Sequence, residues 1–379
     1  MALPLRHTKP PLPGAAAGSS ARGPGSGHRP PQGGGRRRLD PWRVVEGAAS
    51  FLLAGVLLVW ALPRVAGADW SAIRDVLGVL HPLQVAALTV VWLVGLWVQT
   101  IALAAAMPGL SHRRAFFLNL PGSAVSNVLP LGGAAGTALN YSTSRSWGFS
   151  TRAFLRWALV TNIWDTLGKL VIPGVALLWL AIDSMESPKS MVRAAVAALV
   201  LLAVLVALVW FVVHHELGAK LVGRAMDAVA PHLRRRHPPG PGYTARVLEF
   251  RRDTAALVAK VWPRLTVGKA GYAACQALLL WLCLTWLGGD VAPSVAFAAF
   301  AAERVLSLAV ITPGATGVVE IGMVGMLVSF GTDPATATAA VLLYRAFIIG
   351  MEIPTGGVLT FWWLLRHRDR RTHASRGKP

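Results

Sequence analysis

Of the 379 residues, 54% are hydrophobic and only 14% charged, and the mean hydropathy is +0.52. Soluble domains carry about 25% charged residues, so the chain reads as an all-α polytopic integral membrane protein. The formal charge of +20 is concentrated in two tails and one loop between apolar runs. That placement argues against nucleic acid and fits a positive-inside topology with anionic headgroups at the inner surface.

Residues 1–39 are rich in Pro, Gly, Ala and Arg, including Gly33-Gly34-Gly35-Arg36-Arg37-Arg38. They lack the large apolar residues needed for a core and read as a disordered, basic cytoplasmic tail. The transmembrane domain is expected over 40–365, beginning with a retained helix at 44–62. An external loop at 63–82 balances Arg64 and Arg74 against Asp69 and Asp75. A second span at 83–107 returns to His112, Arg113 and Arg114 on the cytoplasmic side. The apolar piece at 115–136 is followed by Arg145, Arg152 and Arg156, so both of its flanks carry the cytoplasmic signature. A broken, re-entrant hairpin hinged at Pro130 satisfies that pattern better than a full span.

A span at 153–182 leads to an external loop with Asp183, Glu186 and Lys189, and 191–213 returns to a basic cytoplasmic loop over 214–266. Within that loop, 246–260 reads as a basic amphipathic helix on the inner leaflet. Cys275 and Cys283 lie in the next span, 267–287, about 12 Å apart at 1.5 Å per residue, too far for a disulfide. They read as packing residues; no metal site and no cofactor is expected. A second broken segment at 295–330 and a span at 335–365 precede a basic cytoplasmic tail at 366–379. The total is seven or eight membrane segments, two of them broken hairpins, with both termini cytoplasmic in the plasma membrane.

The two breaks resemble each other. Asn127-Val128-Leu129-Pro130-Leu131-Gly132-Gly133-Ala134-Ala135-Gly136 and Ile311-Thr312-Pro313-Gly314-Ala315-Thr316-Gly317-Val318-Val319-Glu320 each interrupt an apolar run with a proline and close glycines. At membrane depth, unsatisfied backbone costs several kcal/mol, so such a segment faces protein or water. An offset of 183 carries Pro130 onto Pro313 and Gly148 onto Gly331. It predicts an inverted repeat with halves at about 83–182 and 266–365, and a substrate site near the midplane where the halves meet.

Ionisable groups inside a span cost at least about 2.5 kcal/mol and mark candidate sites. Asp165 and Lys169 are four apart, which lets them pair on one helix face. Arg345 and Glu352 lie two turns apart on a later helix. Glu303 and Arg304 precede the second break, and Glu320 follows it. The candidate binding residues are therefore Asn127, Pro130, Asp165, Lys169, Glu303, Arg304, Pro313, Gly314, Gly317, Glu320, Arg345 and Glu352. Arg304 and Arg345 suit bidentate capture of a phosphate beside the free N–H groups of broken helices. The bland alternative is that these charges pair across helices and hold the bundle together, and Asn127 and Asn140 then satisfy broken backbone.

The Pro313-Gly314-x-x-Gly317-x-x-Glu320 motif is followed by Gly331, by Ala340-Val341-Leu342-Leu343-Tyr344-Arg345 and by Pro354. With Ser126-Asn127-x-Leu129-Pro130, Gly148-Phe149-Ser150 and Asp165, it resembles the lysylphosphatidylglycerol synthase transmembrane, flippase-like family over roughly 44–365. The resemblance implies movement of a phospholipid or lipid-linked envelope precursor between leaflets, without the cytosolic domain that aminoacylates lipid in two-domain relatives. The chain departs from the family at Ala315, where a glycine is common. It also departs at Leu131-Gly132-Gly133-Ala134-Ala135-Gly136, where the family often carries an arginine and a Gly-Glu pair. The expected partners are membrane lipids, anionic or lipid-linked, and not nucleic acid; a homo-oligomer stays open. No nucleotide-binding loop is visible, so transport independent of energy input or coupled to a gradient is expected, and no enzyme. The rival readings are a scaffold for envelope glycolipid enzymes and a polyprenyl-sugar transferase, for which no Asp-x-Asp or His/Asp cluster is present.

Overall fold

The computed structural model describes residues 52–128 apart from Ala54, 132–183, 243–308 and 312–363, together with Arg193, Val196, Val200 and Ala203. The N-terminal tail, the Pro130 hinge, most of the 191–213 span and of the 214–266 loop, and the C-terminal tail lie outside the described residues. Within them the chain is helical, with no strand.

A π-helical turn, Leu57–Ala61, runs into α1 (Leu62–Ala66), and α2 (Trp70–Leu77) follows. Then come α3 (Pro82–Ala106), α4 (His112–Val128), α5 (Gly132–Ser146) and α6 (Thr151–Asp183). The second half holds α7 (Tyr243–Trp286), α8 (Pro293–Leu306), a single 3₁₀ turn at Pro313–Ala315, α9 (Val318–Ser329) and α10 (Pro334–Arg345). Past α10, a π turn at Ala346–Gly350 carries the same helical rod on to Trp363. Four of these helices are long and apolar enough to cross a membrane: Pro82–Ala106, Thr151–Asp183, Ala245–Trp286 and Pro334–Trp363. At 44 residues, α7 extends roughly 66 Å at 1.5 Å per residue, about twice a bilayer's hydrocarbon thickness. The amphipathic helix expected at 246–260 is thus not a separate element; it is the first part of α7. Its apolar side joins a core with Val261, Leu265, Phe154 and Trp157, and Arg152 binds Glu249 at 3.1 Å and Asp253 at 3.0 Å.

The helices α3 and α7, which the offset of 183 pairs, run in opposite directions. Along the α3–α7 contact, Gly95 meets Cys275, Val98 meets Gly271 and Ala102 meets Gly268, so the two helices are antiparallel. They touch backbone to backbone: a methyl on Gly268 would stand 2.5 Å from the Ala102 nitrogen. Small residues at such crossings let apolar helices gain dispersion contact where no hydrophobic driving force acts between them. The offset of 183 carries the end of α5, Ser146, onto the end of α9, Ser329, and the start of α6, Thr151, onto the start of α10, Pro334. The turns between them share Gly148 and Gly331, both at φ 89°.

Each half contributes a hairpin. In the first, Gly132 and Gly136 press α5 against α4; a methyl on Gly136 would lie 2.4 Å from the Gly122 carbonyl and 2.2 Å from Ser126 Oγ. In the second, α8 packs on α9, with Gly322 against Leu306. The α4–α5 hairpin has its base at the Arg152 end, where Tyr141 and Thr151 hydroxyls meet at 2.9 Å. The α8–α9 hairpin starts from the other end, where Ser294 donates to Asp183 at 2.5 Å. Their tips converge: Gly314 lies beside Ile349 and the Asn127 side chain. The two hairpins therefore enter the bundle from opposite ends.

Candidate functional site

A cavity of about 1350 Å³ opens between the hairpin tips and follows α6 and α7. It runs from Val247 and Arg251 on α7, past Asn162 and Lys269, to Gln276, Glu303 and Glu352. Among the described residues its lining carries five cations (Lys169, Arg251, Lys269, Arg304 and Arg345) and three carboxylates (Asp165, Glu303 and Glu352). The rest of the lining is mostly apolar, so these groups give a largely apolar chamber a formal excess of two positive charges.

The second break is built so that its backbone satisfies itself. Thr312 Oγ1 donates to the Thr316 carbonyl at 2.8 Å, and the Ala315 N–H donates to the Thr312 carbonyl at 2.9 Å. Gly314 takes φ 61° and Ala315 takes φ 53°, a left-handed conformation that costs an L-residue about 1–2 kcal/mol. A glycine at this position would avoid that cost. Gly317, at φ 91°, begins α9, and its N–H donates to Glu320 Oε2 at 2.5 Å. The carboxylate thereby caps the positive end of α9. Gly317→Ala would place a methyl 2.3 Å from Leu57 Cβ. Overpacking and backbone conformation together predict a loss of roughly 2–5 kcal/mol, read as a lower thermal midpoint in detergent. Gly325→Ala, in open space on the same helix, is expected to leave that midpoint unchanged or slightly raised.

One buried network clamps this break to α8 and α10. Arg345 donates from Nε to Glu320 Oε1 at 2.6 Å and from Nη2 to the Gly314 carbonyl at 2.7 Å, and its Nη1 lies 3.6 Å from Glu303 Oε1. Glu303 Oε2 accepts from Arg304 Nη2 at 2.7 Å and from the Tyr344 hydroxyl at 2.8 Å. Glu303, Glu320 and Arg345 are all buried. Arg304 stacks 4.6 Å over the Phe300 ring, and its Nε has no hydrogen-bond partner among the described residues.

The residues singled out from sequence separate into three groups. Asn127, Asp165, Lys169, Glu303, Arg304, Gly314, Arg345 and Glu352 line the chamber. Gly317 and Glu320 stand behind it, holding the break, and Pro313 opens the 3₁₀ turn. Pro130 lies outside the described residues. The pairing suggested by spacing is different in the structure: Asp165 binds Lys269 of α7 at 2.7 Å, across the chamber. Among the described residues no carboxylate lies within ion-pair distance of Lys169. Arg345, expected to share a phosphate with Arg304, has its nitrogens turned to Glu320, Glu303 and Gly314. Sequence reasoning overlooked Lys269, Tyr344 and Ser123, whose hydroxyl donates to Glu352. Lys269 carried a usable signal, a lone charge in an apolar helix; a serine carries none.

Fold and site together define a polytopic membrane protein with a charge-bearing chamber between two helical hairpins that enter from opposite ends. Residues 47–353 match the family described as the lysylphosphatidylglycerol synthase TM region, and the chain belongs to that family. It is thus a multi-pass integral membrane protein tied to lipid handling, and the matched region is a membrane domain rather than a catalytic transferase. No curated protein matches the chain.

Proposed function

We propose that the chain is a flippase-like protein that passes the headgroup of an anionic phospholipid, or of a phosphate-bearing lipid-linked envelope precursor, between the leaflets of the plasma membrane. The observation that carries this reading is the net-positive chamber between the hairpin tips. Its volume of about 1350 Å³ exceeds the roughly 300–1,000 Å³ of ordinary small-molecule sites, enough for a headgroup with the start of its chains. Lys169 and Arg304 supply the phosphate contacts, the first without a carboxylate within ion-pair distance among the described residues and the second with an Nε that has no partner among them. Asp165 and Lys269 bridge α6 and α7 part-way along the route. Arg345 and Glu320 keep the second hairpin open to the chamber instead of collapsed against it. The Arg152 end, with Arg113, Arg114, Arg145 and Arg251, faces the cytoplasm by the positive-inside rule. Asp183, Asp290 and Asp333 then face out.

The test uses vesicles holding the purified chain and fluorescent phosphatidylglycerol in both leaflets. Dithionite added outside is expected to bleach beyond the outer-leaflet fraction at a rate above that of protein-free vesicles. Bleaching that stops at the outer leaflet with this lipid and with a polyprenyl phosphate probe would refute the proposal.

A further inference from the structure

Among the described residues, every buried carboxylate at the heart of the bundle has a cation beside it except one. Glu303 has Arg304 and Arg345, Glu320 has Arg345, and the half-exposed Asp165 has Lys269. Glu352 is 3% exposed and lines the chamber. Among the described residues no Lys, Arg or His lies within ion-pair distance of it. The hydroxyl of Ser123 donates to it, and Asn127 Nδ2 approaches that hydroxyl at 3.4 Å. A carboxylate taken out of water without a partner is strongly disfavoured as an anion. It is neutralised when a proton or a small cation joins it.

Position adds to the argument. Glu352 follows the π turn Ala346–Gly350, an irregularity common at functional sites. It faces Ser123 of α4, and the same helical rod packs on α4 at Gly356, close to Leu120 and Ala124. The other titratable groups on this part of the chamber, among the described residues, are Tyr272 and Lys269 of α7, Asp165 and Lys169 of α6, Glu303 and Arg304 of α8, and Arg345 on its own helix. Lys269, Arg304 and Arg345 are held by the carboxylates already named; α4 lines the chamber with Ser123, Ser126 and Asn127 and with no charged residue among those described.

Building on the translocation reading, we infer that Glu352, Ser123 and Asn127 form the binding site of a coupling cation, a proton or a sodium ion. Neutralising Glu352 raises the chamber's formal excess from two positive charges to three. An anionic headgroup is then bound more tightly, and by linkage the headgroup tightens cation binding to the same degree. That reciprocity is what couples lipid movement to a cation gradient.

The site is read without any lipid movement. Infrared difference spectra of the purified full chain, between acidic and alkaline buffer, are expected to show a carboxylic C=O band that Glu352→Gln removes. Sodium chloride, but not choline chloride, removes the same band in the wild type if sodium occupies the site; indifference to sodium identifies the proton alone. An identical band in wild type and Glu352→Gln, with no sodium effect, overturns the inference. Should Glu352→Gln fail to fold, Ser123→Ala keeps the carboxylate and removes its hydrogen bond. A shifted band then supports the site and an unshifted one overturns it. Failure of the vesicle assay with this band intact would sink the translocation reading and leave the cation site standing.

Discussion

Arg345→Ala is expected to destabilise the protein by about 3–5 kcal/mol, the range for removing one partner of a buried ion network. The side chain donates to Glu320 and to the Gly314 carbonyl and lies near Glu303. Its loss strands Glu320 as a buried charge, and the 3₁₀ turn loses the donor that fixes its carbonyl. Glu303 keeps Arg304 and Tyr344, so the damage centres on the break and α9. In detergent the variant should lose its cooperative thermal transition or show it at much lower temperature. Arg345→Lys should recover only part, because an ammonium cannot present the planar fork that reaches three acceptors at once.

Arg304→Gln and Lys169→Gln are expected to do the opposite: transport falls and stability holds. A hydrogen bond to a charged group is worth about 1.5–3 kcal/mol, which is roughly a 10- to 150-fold loss at 1.4 kcal/mol per decade. Lys169 contributes no ion pair within the described residues, so its removal leaves no stranded partner. Arg304 leaves Glu303 still bonded to Tyr344 and close to Arg345. The readouts are the vesicle bleaching rate and the thermal midpoint on the same preparations. A fall in both together would reassign these residues to the scaffold.

What could be read from sequence was what membrane chemistry penalises. Pro313, Gly314 and Gly317 in an apolar run forced a break, and the structure places a one-turn 3₁₀ segment there. The opposed directions of α3 and α7 fit the inverted repeat expected from the offset of Pro130 and Pro313. Partner choice was less legible. Spacing put Lys169 one turn from Asp165, but helix periodicity contains no information about Lys269, 104 residues away. The span expected at 267–287 has Lys269 near its start; α7 in fact begins at Tyr243, which puts Lys269 well inside the helix. Arg345 was visible as a buried charge, yet whether it faces a ligand or a carbonyl depends on the fold of Gly314. Ser123 is a small residue in a small-residue helix, and nothing local distinguishes it from a packing position.

If the headgroup passes between α6 and α7, a reversible link across that passage stops it. Asp165 and Lys269, which meet at 2.7 Å, are replaced by cysteine in a chain lacking Cys275 and Cys283, then joined by a reducible bis-thiol reagent in vesicles. Relative to the same variant before linking, bleaching of inner-leaflet fluorescent phosphatidylglycerol should stop and should return on reduction. An unchanged rate in the fully linked protein would show that lipid headgroups do not use this chamber.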